Sequence, residues 1–71
     1  MYTDYYVNMD SSKNPNNNHE VHTGDCPWLP SANNRIFLGY FSDCKDAIQR
    51  AKAIYNDVDG CYTCCRKCHH G

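Results

Sequence analysis

The apolar residues of this chain change their spacing along its length, and each change marks an element. "YYVN" (Tyr5 to Asn8) has the aromatic and β-branched content of a short strand. The polar, Asn-rich run from Asp10 to Asn18 follows as a hairpin loop, and "HEVHT" (His19 to Thr23) returns as a second strand. "GDCPWLPSANN" carries Gly, Pro and Asn where a loop would, and "RIFLGYF" (Arg35 to Phe41) is the most strand-like run of all. Gly39 within it predicts a bulge or a close backbone approach. From residue 42 the period becomes helical. Cys44, Ala47, Ile48, Ala51, Ile54, Tyr55 and Val58 follow the spacing of one buried face, and a helix is expected over 42–57. Ser42 or Asp43 caps it, Asp46 adds negative charge to its first turn, and Asp59–Gly60 ends it. Cys44 then reads as a small buried hydrophobe. This order predicts the α+β class: a small antiparallel sheet of about three strands, one helix packed on it, and a C-terminal cysteine knuckle over 61–68. Residues 1–71 form one small domain on this reading.

Size makes that knuckle important. A chain of 71 residues buries only about 60% of its unfolded surface, so its core alone gives marginal stability. Disulfides or a structural metal commonly supply the rest, and six cysteines are available. The formal net charge of −1 disfavours a generic phosphate-neutralising nucleic-acid binder. Arg66–Lys67 is the only adjacent basic pair. No apolar run approaches the roughly 20 residues that span a bilayer, so no membrane role is expected. The N-terminus lacks the basic start and apolar stretch of a secretory signal. The chain therefore reads as cytoplasmic, where clustered cysteines are first taken as metal ligands.

Four cysteines fall within the last eleven residues, as the pairs Cys61/Cys64 and Cys65/Cys68. Each Cys-x-x-Cys lets one turn present two thiolates to one ion. "HTGDC" offers His22 and Cys26 at a spacing of four, and zinc favours such N and S donors in fours. If the helix packs antiparallel to the third strand, its roughly 14 residues run about 20 Å back to where that strand began. The Cys26 loop leads into the same strand. Cys26 and the tail are thus expected at one end of the domain, and Cys44 at the other.

The run "HTGDCPWLP…NNRIFLGYFSDCKDAIQRA…YTCCRKC" resembles the zinc-binding domain of the bacterial adaptive-response (Ada) DNA methyltransferase and its small stand-alone relatives. The resemblance spans about His22 to Cys68. It matches Asn34 to the family's strand-entry Asn and Ala47 to its helix alanine, and it implies a metal site of His22, Cys26, Cys65 and Cys68. Cys64 stands where the family has proline, and Cys44 and Cys61 are additional. In the family the first ligand is a cysteine that accepts a methyl group from DNA phosphotriesters. His22 holds that position here, so the resemblance implies a fold and a metal site rather than the repair reaction.

Structural zinc on His22, Cys26, Cys65 and Cys68 is therefore the expected cofactor site, with Cys61 and Cys64 as alternative ligands. A metal-free domain stapled by disulfides is the competing arrangement, and six cysteines permit fifteen pairings. "HEVH" is not a metalloprotease motif, because its histidines are three apart in a strand and alternate faces. His69 and His70 read as auxiliary ligands, a frayed end or the remnant of a tag. Trp28 is expected to be buried, unless Trp28–Leu29 covers the metal end or forms a contact patch. The function expected is non-catalytic: a protein-interaction module using Trp28 and the knuckle. The alternatives are an Ada-like nucleic-acid module using Arg35, Arg66 and Lys67, and a thiol-based enzyme or redox protein.

Overall fold

A computed structural model describes residues 1–12 and 17–70. Its elements are β1 (Thr3–Asn8), β2 (His19–Thr23), a 3-10 turn (Ala32–Asn34), β3 (Arg35–Phe41), α1 (Cys44–Lys52), β4 (Val58–Gly60) and a second 3-10 turn (Arg66–Cys68). The sheet order is β3-β1-β2-β4. β1 pairs antiparallel with both neighbours, whereas β4 runs parallel to β2. Part of the expected 10–18 loop, residues 13–16, lies outside the described residues.

The expected strands are present, and alternation explains their faces. Tyr5, Val7, Val21 and Leu38 are buried with Ala47 and Ala51 of α1 in the core. Tyr6, Phe37 and Tyr40 lie on the other face, which α1 leaves uncovered. The register of β1 against β3 shifts between Tyr5 and Tyr6, so Leu38 is the extra residue of a bulge. Gly39 sits there at φ 145°, and a Cβ would meet the Phe41 ring at 2.7 Å. Only glycine suits both conditions.

Two expectations are corrected. The helix is Cys44–Lys52, not 42–57. Asp43 caps it by accepting a hydrogen bond from the Lys45 N–H at 3.0 Å. Beyond the helix, Tyr55 stacks on His19 with ring centroids 3.6 Å apart, and the His19 N–H donates to the Asp57 carbonyl. The chain is thereby laid against β2, and Val58–Gly60 becomes a fourth strand. Val58 thus satisfies the helical spacing while being β-branched in a strand, and Ile54, expected on the buried face, is 46% exposed. The sheet is accordingly four-stranded and mixed rather than three-stranded and antiparallel.

The second correction concerns which ends meet. The register places Thr23 of β2 and Phe41 of β3 at the same end of β1. Residues 24–34 cross the length of the sheet, so Cys26 lies at the start of that crossing, not at the start of β3. Cys44 follows Phe41 at this same end. β4 returns from His19 to Val21, and this returning segment delivers the tail there too. Gly60 lets the tail lie on the strand, since a Cβ would stand 2.7 Å from the Cys65 carbonyl oxygen and 2.9 Å from Cys68 atoms.

Asp59 fixes the final residues. It is 4% exposed. Its Oδ1 accepts from the Gly60 and His70 N–H groups at 3.0 and 2.8 Å, and Oδ2 lies 3.3 Å from His69 Nδ1. His69 and His70 are therefore held against β4 rather than frayed.

Candidate metal centre

Four side chains converge where β2 ends. The donor atoms of His22, Cys26, Cys61 and Cys64 all lie within 4.8 Å of one another. His22 is placed opposite Tyr6 by the register, on the face away from α1. The turn after β2 brings Cys26 back: its N–H donates to the Thr23 carbonyl, the Gly24 N–H to Asp4, and the Thr23 hydroxyl to Asp25. Cys61 follows β4 directly, with its N–H donating to the Val21 carbonyl at 2.9 Å. The Cys65 N–H bonds back to the Cys61 carbonyl, closing a turn that swings Cys64 toward β2.

The spacing of the donors carries chemical information. Thiolates about 2.3 Å from a tetrahedral ion stand about 3.8 Å apart, and a thiolate and an imidazole nitrogen about 3.6 Å apart. Here Cys26 Sγ is 3.8 Å from Cys61 Sγ and 3.6 Å from His22 Nδ1, and Cys64 Sγ is 3.9 Å from the same nitrogen. These three separations match edges of a tetrahedron sized for one ion, and the remaining donor pairs lie within 4.8 Å. On its other side His22 Nε2 lies 3.7 Å from the Glu20 carboxylate. That carboxylate stands on the side of the ring away from the cluster, where the outer partner of a metal-bound histidine is found.

The protonation pattern of the thiols agrees with this. The Cys65 thiol, 3.9 Å away, holds Cys64 well below the ordinary thiol range; burial opposes this, and His22, Cys26 and the Thr23 N–H reinforce it. Burial pushes the Cys26 thiol up to about 12 and raises Cys61 as well. Cys65 is raised in turn by its bond to Cys64 and by burial. The metal-free cluster thus holds one thiolate among neutral thiols. A divalent cation is the natural group to ionise the others, because coordination deprotonates a thiol.

His22 and Cys26 are brought together as expected, and the pair that joins them is Cys61/Cys64. Cys65 and Cys68 do not close this site. Cys65 points into the core beside Cys64, and Cys68 is bonded to Cys44 in a disulfide with Cα atoms 6.4 Å apart. Cys44 is buried, as expected, but as one half of that bridge. The two Cys-x-x-Cys pairs are equivalent as sequence; only the parallel β4, whose length sets where the tail begins, selects the first. The placements of Glu20 beside His22 and of Asp59 under the final residues were not foreseen, since an acidic residue's role depends on what folds against it.

The interaction residues are placed as follows. Trp28, expected to be buried, is 67% exposed. The Arg66 guanidinium lies over the Tyr62 ring and donates to its hydroxyl at 3.1 Å. Lys67 pairs with Asp43 at 2.9 Å. Among the described residues, no helix is long and apolar enough to cross a membrane. Compared with family models, curated proteins and solved structures, the chain has no significant match.

Proposed function

We propose that this protein is a non-catalytic zinc-binding domain in which His22, Cys26, Cys61 and Cys64 hold one structural ion. The tetrahedral spacing of their donor atoms carries the reading. Three sulfurs and one imidazole suit zinc among the common divalent ions. A catalytic zinc keeps an open position for water. Here all four positions are supplied by side chains, and His22, Cys26 and Cys61 are at most 7% exposed, which supports a structural role. The ion would tie the exit of β2 to the chain beyond β4. Apparent binding energies of about 10–16 kcal/mol in such sites exceed the roughly 5 kcal/mol expected of a small domain.

The domain's task on this reading is to present the uncovered sheet face to a protein partner. Tyr2 stacks on Tyr40, Tyr6 meets Phe37 in a tilted contact, and Arg35 covers Tyr6. Trp28 borders a shallow cleft with Asn8 at the edge of this face. Aromatic faces also stack nucleic-acid bases, which is the alternative that the Ada resemblance favours. Asp4 and Glu20 on the same face, and the net charge of −1, disfavour phosphates.

Native mass spectrometry of protein purified without added zinc or chelator tests the metal assignment. One zinc per chain is expected, with circular dichroism showing loss of the fold on chelation. Metal-free protein that stays folded would overturn it. A salt-dependent change in Trp28 fluorescence on adding single-stranded oligonucleotide would replace the protein-partner reading with the nucleic-acid one.

A further inference from the structure

A second set of donors lies beside the disulfide. Asp43, Cys44 and Cys68 offer ligand atoms within 4.8 Å of one another, and none of the three belongs to the first site. Cys44 opens α1 and Cys68 closes the last 3-10 turn, so the bridge pins the tail to the helix. Both cysteines are buried in the apolar core. Asp43 stands at the rim. Its Oδ1 receives the Lys45 N–H and its Oδ2 meets Lys67, whose side chain is mostly exposed and free to leave.

We propose that these residues form a second metal site that exists only when the disulfide is reduced. A small dithiol performs the reduction by thiol–disulfide exchange: its two thiols become a disulfide, and two electrons and two protons pass to Cys44 and Cys68. A zinc ion then takes both sulfurs and Asp43 Oδ2, releasing the two thiol protons to solvent. The sulfurs must separate to about 3.8 Å, the edge of a tetrahedral thiolate pair. With Cα atoms 6.4 Å apart, side-chain rotation can supply that separation.

An open cleft of about 290 Å³ borders the set, lined by Asp43, Cys44, Cys64, Cys65, Arg66 and Lys67 among others. It gives the reductant and the ion a route to Cys44, and it leaves the fourth position to water. Arg66 and Lys67 offset the negative charge of two thiolates and a carboxylate around a divalent ion. The tail is thus pinned to α1 by a covalent bond when oxidised and by an ion when reduced. The two states differ in stoichiometry by one metal ion.

Zinc is the probe, counted by native mass spectrometry before and after reduction with a trialkylphosphine. The phosphine takes oxygen from one water as the disulfide becomes two thiols. The wild-type protein is expected to gain one zinc on reduction, and an unchanged count overturns the proposal. The C44S/C68S double variant should gain none; a gain there would place the ion elsewhere and also overturn it. D43N retains the disulfide and lies at the surface. It should bind the reduction-dependent zinc at least tenfold more weakly while leaving the other ion unaffected, and wild-type affinity would remove Asp43 from the site. Zinc bound before reduction reports the first site, and only the gain on reduction reports this one. Failure of the first site therefore reads differently from failure of this one.

Discussion

Replacing Gly60 by alanine tests the feature on which the metal centre depends, the close approach of the tail to β4. The new Cβ would lie 2.7 Å from the Cys65 carbonyl oxygen and 2.9 Å from both the carbonyl carbon and Cβ of Cys68. Two of those atoms are backbone, so no flexible side-chain end can simply turn away. The tail is also held on both sides, by Cys61 and Cys64 in the cluster and by Cys68 in its disulfide. Overpacking of this kind costs about 1–3 kcal/mol. In a domain of this size, each kcal/mol lowers Tm by about 4–8 °C. A loss of about 4–24 °C is expected for metal-loaded G60A by circular dichroism. The backbone must also retreat by about the 0.5 Å that separates a working site from a loose one, so zinc affinity should fall with stability. Gly24 is the internal control, because a Cβ there meets its nearest neighbours at 3.4–3.9 Å, ordinary contact distances. G24A should unfold within a few degrees of the parent. A G60A protein as stable and as tightly zinc-binding as G24A would refute the placement of the tail, and the metal centre with it.

Three further outcomes follow from the same geometry. C61S should lose the structural zinc while C65S keeps it; the reverse result in native mass spectra would restore the ligand set implied by the Ada resemblance. Because burial holds the Cys26 and Cys61 protons on while Cys64 is already ionised, zinc must displace two thiol protons. Its affinity, measured by chelator competition between pH 7 and 8.5, should rise by about two log units per pH unit, since one unit of proton activity enters once for each proton released; a flat profile would contradict this protonation pattern. Substituting Glu20 by glutamine removes the carboxylate beside His22 Nε2 and should weaken zinc binding by about 10- to 100-fold, whereas an unchanged affinity would make that carboxylate incidental.

Some of this protein is local and was readable without its fold. Tyr5, Val7, Val21 and Leu38 alternate with polar or exposed neighbours because a pleated strand turns successive side chains to opposite faces. Asp43 caps a helix and Gly39 breaks a ladder through interactions within a few residues. His22 and Cys26 lie on one turn, so their spacing alone predicts that they act together. The partners of that pair were of another kind. Cys61/Cys64 and Cys65/Cys68 have identical spacing, and Val58 suits a helix face as well as a strand. The choice rested on the stacking of Tyr55 on His19 and the pairing of Gly60 with Val21, contacts between segments some forty residues apart. The same long-range register brought Cys44 to the tail's end of the sheet and made it a disulfide partner of Cys68 rather than a core residue alone. Local residue preferences thus chose the elements and supplied the donors. Which donors meet was decided by the parallel return of a three-residue strand, because coordination and disulfide chemistry depend on distances that only the packed chain sets.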